Sequence, residues 1–199
     1  MRLIMSVGGQ AEILNAQDWS KLEKVGQSVK HQTIWALLRF TGCWSQEARL
    51  LTVDNVYSDP VNRVVKDQVY FPKKIRKGKK WAISVPITKK LRWYLERYDC
   101  PTSGYLFPSS RNPDKPISYE AVYKYMKDAA TKAGLGHQKI STHSGRRSLV
   151  THLHEAGSSL ETIRQITGHR SLQNLQAYIE VGKDQVAAAI DNVALWLGN

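Results

Sequence analysis

Cysteine is nearly absent from this chain, with only Cys43 and Cys100 among 199 residues. That excludes a disulfide framework and the four-cysteine zinc patterns. No run of 18 apolar residues exists, so the sequence offers no membrane-spanning helix. The first ten residues are too short and too interrupted by glycine to read as a signal peptide. Internal repeats and low-complexity linkers are also missing, so nothing marks a domain boundary and residues 1–199 read as one domain. Acid is scarce, with 17 acidic side chains against 29 basic ones, a net charge of +12. The apolar fraction of 42% excludes wholesale disorder. These features predict a soluble protein of a reducing compartment, with no membrane partner.

What the chain has is positive charge, unevenly placed. Between Arg63 and Arg92 lie eleven basic residues and one acid, Asp67, a local net of +10. Lys73, Lys74, Arg76, Lys77, Lys79 and Lys80 crowd the middle of this stretch. A lysine-rich loop can serve solubility alone, but this density in one segment points to a polyanion and makes phosphate contact by a hairpin the favoured reading. Lys73, Lys74, Arg76, Lys79 and, further on, Arg147 are the candidate contacts to nucleic-acid phosphates.

The pattern predicts a mostly helical α+β fold with one small antiparallel sheet of three strands. Asn15 is placed to cap a first helix bearing Trp19, Leu22 and Val25 on one face. A second helix is expected from about Val29 to Phe40, ended by Thr41-Gly42, with a short third one capped by Ser45. Val53–Tyr57, Gln68–Phe71 and Trp81–Val85 read as strands, the last two joined by the basic segment with Gly78 at its turn. Thr88 starts another helix, and Cys100–Pro116 holds four of the seven prolines and reads as a loop. Helices capped by Ser118, Thr142 and Ser159 follow, then short ones over about Ser171–Ile179 and Asp184–Leu197. In the last, Val186, Ile190, Val193, Ala194 and Leu197 form an apolar stripe.

Chemistry concentrates between Ser141 and Glu180. His143 and Arg146 stand three residues apart at a helix start, near one face. Leu149, Val150 and Leu153 define the inward side of that helix, and Arg146 falls on it. An inward arginine needs an anion or a carboxylate, and Glu47 is the bland candidate. His169 follows the helix-ending Gly168, and Tyr178 lies nine residues beyond, at the flank of an apolar stripe. Taken singly, each is more often a structural residue than a catalytic one. Five histidines, His137, His143, His152, His154 and His169, lack cysteine partners and a clear i, i+4 pair, so neither a metal nor another cofactor is expected.

The ordered set, His143-Ser144-Gly145-Arg146, then Gly168-His169, then Tyr178, resembles the C-terminal motifs of the tyrosine recombinase (phage integrase) family. Thr41-Gly42 and Glu47 resemble that family's first motif, and the resemblance runs from about residue 11 to 180. It implies a site-specific recombinase or integrase that cuts and rejoins double-stranded DNA through a 3′-phosphotyrosine, without metal or ATP. Tyr178 would be the nucleophile, and Arg146 would hold the nonbridging oxygens. His143 and His169 would bind phosphate or move the tyrosine proton. A hairpin lysine, Lys77 by its place before Gly78, would protonate the leaving 5′-oxygen. It also implies a nucleoid-associated cytoplasmic protein that assembles as a tetramer on DNA, with residues 181–199 making protomer contacts. Most members carry a helical DNA-binding domain ahead of this one. Few residues precede the first helix here, as in a fragment or in the short recombinases of the fimbrial-switch type.

One position departs from the family pattern. Two residues after the glycine of the first motif, where an arginine is expected, stands Trp44. Arg39 and Arg49 are the nearest cations in sequence, five residues to either side. A catalytically weakened relative that only binds DNA is therefore the alternative reading.

Overall fold

Polar side chains at helix starts set most of the boundaries. The computed structural model describes residues 11–25, 28–76, 78, 81–169 and 171–176. Asn15 accepts the Asp18 N–H at 2.9 Å and donates its own N–H to the Asp18 carboxylate at 3.2 Å. This capping box opens α1 (Ala16–Lys24). Ser28 caps α2 (Val29–Thr41), which ends on Gly42 at φ +62°, a left-handed conformation suited to glycine. The short α3 (Ser45–Leu50) starts after Trp44, whose N–H is held by the Glu47 carboxylate at 2.9 Å.

The sheet is smaller than the sequence suggests. Two antiparallel pairs replace the expected three-stranded sheet: β1 (Tyr57–Asp59) with β2 (Val64–Val65), and β3 (Gln68–Phe71) with β4 (Ile83–Pro86). The stretch read as a first strand, Val53–Tyr57, is mostly a 3-10 turn at Val53–Asn55. Asn55 accepts the Thr52 N–H at 3.0 Å, so local side-chain bonding outweighs the β-branched residues there. After β3 the chain makes a 3-10 turn at Lys73–Ile75 that buries Ile75.

Thr88 then caps α4 (Lys89–Arg97) and Ser118 caps α5 (Tyr119–Lys132). His143, rather than the expected Thr142, occupies the N-cap of α6 (Ser144–Glu155). Ser159 caps α7 (Leu160–Thr167), closed by Gly168 at φ +65°, and α8 (Leu172–Gln176) follows.

The main core fills the space among α1, α2, α4, α5 and the inward strand residues, with Leu37, Leu38, Phe71, Leu95, Phe107 and Met126 buried. Val150, Ile163 and Leu175 form a second cluster on α6, α7 and α8. The close approach of α2 and α6 requires Gly145: a Cβ there would lie 2.8 Å from the Leu38 carbonyl carbon and oxygen. That contact brings Arg146, the next residue, to the C-terminal end of α2.

Candidate functional site

Arg146 is only 2% exposed, and it is stabilised by carbonyls. Its Nη1 donates to the Gly42 carbonyl at 2.6 Å and to the Thr167 carbonyl at 3.0 Å. These oxygens belong to the ends of α2 and α7, so two helix C-termini, each carrying partial negative charge, meet at one guanidinium. This compensates the burial that otherwise disfavours an inward arginine. The Trp44 ring covers the same guanidinium, with Cζ 4.9 Å from its centroid, and His143 meets that ring edge-on at 5.2 Å.

His169 is 6% exposed and lies 3.0 Å from Arg146, Nε2 to Nη2. An arginine can only donate, so Nε2 accepts and the ring proton sits on Nδ1. Nδ1 lies 2.6 Å from the Thr167 hydroxyl, which donates to the Ile163 carbonyl at 2.6 Å. The chain of donors is therefore consistent, and Thr167 fixes the tautomer. Burial, then the charges of Arg146 and Arg76, push the His169 pKa down to about 3. The imidazole is therefore neutral at any ordinary pH.

Arg76 follows the 3-10 turn of the basic segment and is 7% exposed. Its Nε lies 3.7 Å from Glu47 Oε1, and its Nη2 donates to the Gly168 carbonyl at 3.3 Å. A Cβ on Gly168 would fall 2.0 Å from that Nη2. Glycine at 168 thus serves both the left-handed turn and the guanidinium beside it.

Trp44, Glu47, Lys74, Arg76, Gly78 and His143 are among the residues lining a cleft of about 630 Å³, and the buried Arg146 touches its wall through the Trp44 ring. Of the candidates from sequence, the structure brings together Arg146, His169 and His143. Lys73 and Lys74 are exposed on the adjoining turn, and Lys74 reaches the cleft. Arg147 donates to the Ala11 carbonyl at 2.7 Å and so ties down the N-terminal segment. Lys77, Lys79 and Tyr178, and the helix expected over Asp184–Leu197, lie outside the described residues. Arg39 pairs with Glu23 at 2.8 Å, and Arg49 donates Nε to the Ile117 carbonyl. Among the described residues no group of three or more histidine, cysteine or acidic side chains is arranged to hold a metal ion.

Sequence reasoning missed the inward course of Arg76 and the hydroxyl of Thr167. The first shows only in the tertiary structure, where Glu47 is 1% exposed and its buried carboxylate lies beside the Arg76 guanidinium.

The model of the phage integrase family matches residues 12–185. The tyrosine recombinase XerA of Pyrococcus horikoshii is 27% identical over 186 residues, 92% of this chain and 61% of that protein. The tyrosine recombinase XerD of Caulobacter vibrioides is 35% identical over 85 residues, 43% of this chain and 28% of its own. The chain thus spans less than two thirds of these relatives. Among solved structures, a XerA recombinase superimposes with a TM-score of 0.72 at 19% identity, covering 92% of this chain and 65% of that one. The pre-cleavage complex of XerH with its difH substrate gives 0.64 at 22% identity, covering 89% and 53%.

Proposed function

The chain belongs to the phage integrase family, and from that premise we propose that it is the catalytic part of a site-specific DNA recombinase. The observation that carries the reading is a cleft lined by His143 and Arg76 beside a strongly basic turn, with the buried Arg146–His169 pair set against its wall at Trp44. A phosphodiester entering there would place its nonbridging oxygens against planar guanidinium donors. Tyr178 would attack phosphorus, its phenolic oxygen forming the new P–O bond as the bond to the 5′-oxygen breaks. The product is a 3′-phosphotyrosine and a 5′-hydroxyl, which conserves the bond energy for rejoining. The 5′-oxygen takes its proton from a hairpin lysine, Lys77 by its position next to Gly78.

The electrostatics suit proton transfer. Burial first, and then the positive charges of Arg146 and Arg76, hold the His169 pKa down, and a bound phosphate monoanion between them offsets the part due to charge. As Arg146 Nη2 turns from His169 to the bound phosphate, His169 Nε2 is released, gains basicity and is suited, with His143, to accept the tyrosine proton. None of these steps calls for a metal or ATP. Assembly as a tetramer on double-stranded DNA, through residues 181–199, completes the proposal.

Covalent trapping tests the reading. A duplex site selected by binding from a randomised pool is nicked beside the scissile phosphate, so that the released fragment diffuses away. The chain should then accumulate as a denaturant-resistant 3′ adduct. Tight binding without any adduct would support the second reading, a DNA-binding relative disabled by the loss of the arginine at Trp44.

Binding itself should depend steeply on salt. Lys73 and Lys74 are exposed, and each phosphate contact releases counterions. Replacing both with alanine should lower the log–log salt slope by about 2, one for each contact. An unchanged slope, measured by fluorescence anisotropy, would place the DNA on another face.

A further inference from the structure

We propose that Arg76, carried by the basic turn after β3, supplies the phosphate-binding guanidinium that the first motif lacks at Trp44. The inference rests on the recombinase reading above and concerns which side chain completes its site.

Arg76 reaches the first motif through its acid. Glu47 divides its two oxygens, one holding the Trp44 N–H at the start of α3 and the other 3.7 Å from Arg76 Nε. The carboxylate therefore fixes both the position left by the missing arginine and the cation that replaces it. On the other side the Gly168 carbonyl accepts from Nη2, and the guanidinium occupies the space a Cβ on Gly168 would need. Arg76 is thus locked between the first motif and the Gly168-His169 motif while still lining the cleft.

Its hydrogen-bonding capacity is not used up. Arginine has five N–H donors. Only the Nη2 bond to Gly168 is made within hydrogen-bond distance, and Nε finds no such partner among the described residues. A buried, oriented fork with donors to spare is the arrangement that stabilises developing charge on a phosphoryl group.

The alternative cations are engaged elsewhere. Arg39 pairs with Glu23 and stacks on Trp19 and Phe40. Arg49 lines the cleft and spends its Nε on the Ile117 carbonyl, so Arg49→Ala belongs in the same test and should keep the parental rate. Lys74 is an exposed point charge and lacks the planar fork.

The test uses the full chain and the nicked duplex described above. Arg76→Ala should slow adduct formation by about 10²–10³-fold, the effect of removing one preorganised donor from such a site. Arg76→Lys should fall between this variant and the parent, because it keeps charge and loses the fork. Arg39→Ala should cleave at the parental rate. A second substrate carries a methylphosphonate at the scissile position, which removes one nonbridging negative charge. On it the Arg76→Ala deficit should shrink to a few-fold.

Equal deficits on both substrates would assign Arg76 a packing role only and overturn the inference. Parental cleavage by folded Arg76→Lys and Arg76→Gln would overturn it as well, and these two variants serve if the alanine variant does not fold. Absence of any adduct with the parent chain is a different result, which sinks the recombinase reading itself.

Discussion

Tyr178→Phe should abolish the covalent adduct and leave DNA binding in place. Only the phenolic oxygen is removed, so the basic turn, the cleft and the stacking area of the ring are kept. The chemistry has no substitute for that oxygen, because a 3′-phosphotyrosine cannot form without it. The parent's adduct should therefore map to the peptide containing Tyr178, and the phenylalanine variant should yield none after prolonged incubation. A specific competitor exists. Tyr119, the first residue of α5, is exposed and lines the same cleft, so a phenol is already present there. Tyr119→Phe should keep the adduct at the parental level. The assignment fails if Tyr178→Phe still forms a denaturant-resistant adduct, and loss of the adduct in Tyr119→Phe would move the nucleophile to α5.

Several parts of this site are written locally in the chain and can be read from it. Arg146 turns inward because helical phase sets it beside Val150, and its 2% exposure follows from that phase. The ends of α2 and α7 are marked by Gly42 and Gly168, both at positive φ. The strand Gln68–Phe71 alternates exposed and buried side chains along its length, so its boundaries agree with the pattern. By contrast, β2 has two residues, too few to show any period, and Val53–Asn55 looks like a strand until Asn55 turns back on Thr52.

Arg76 is the instructive failure. Within Lys73–Lys80 every basic residue looks alike, and a solvated run is the ordinary expectation for such a stretch. What singles out Arg76 is tertiary: burial of Ile75 in the preceding turn, the carboxylate of Glu47 and a carbonyl 92 residues away at Gly168. No local periodicity carries that information. The pairing of a buried acid with a displaced cation becomes visible only when α3, the basic turn and the end of α7 are seen together. The same holds for Thr167, whose hydroxyl gives His169 a fixed tautomer.

Trp44→Arg restores the family's residue at its expected position, and it should nonetheless impair cleavage, by about tenfold or more. The indole has a defined place here. It covers the Arg146 guanidinium at 4.9 Å and packs against His143 at 5.2 Å. A cation–π contact of this kind contributes about 0.5–2 kcal/mol, and each 1.36 kcal/mol in a transition state is tenfold in rate. Arginine at 44 removes that face and adds a third guanidinium to a site that already holds Arg146 and Arg76. It would also compete with Arg76 for Glu47 Oε1, the oxygen that orients Arg76. Trp44→Phe keeps an aromatic face over Arg146 and should stay within a few-fold of the parent. The measurement is the initial rate of adduct formation at saturating protein on the nicked duplex, for the parent and both variants. A faster Trp44→Arg would mean that position 44 is merely a degraded arginine position, and Arg76 would then not be its replacement.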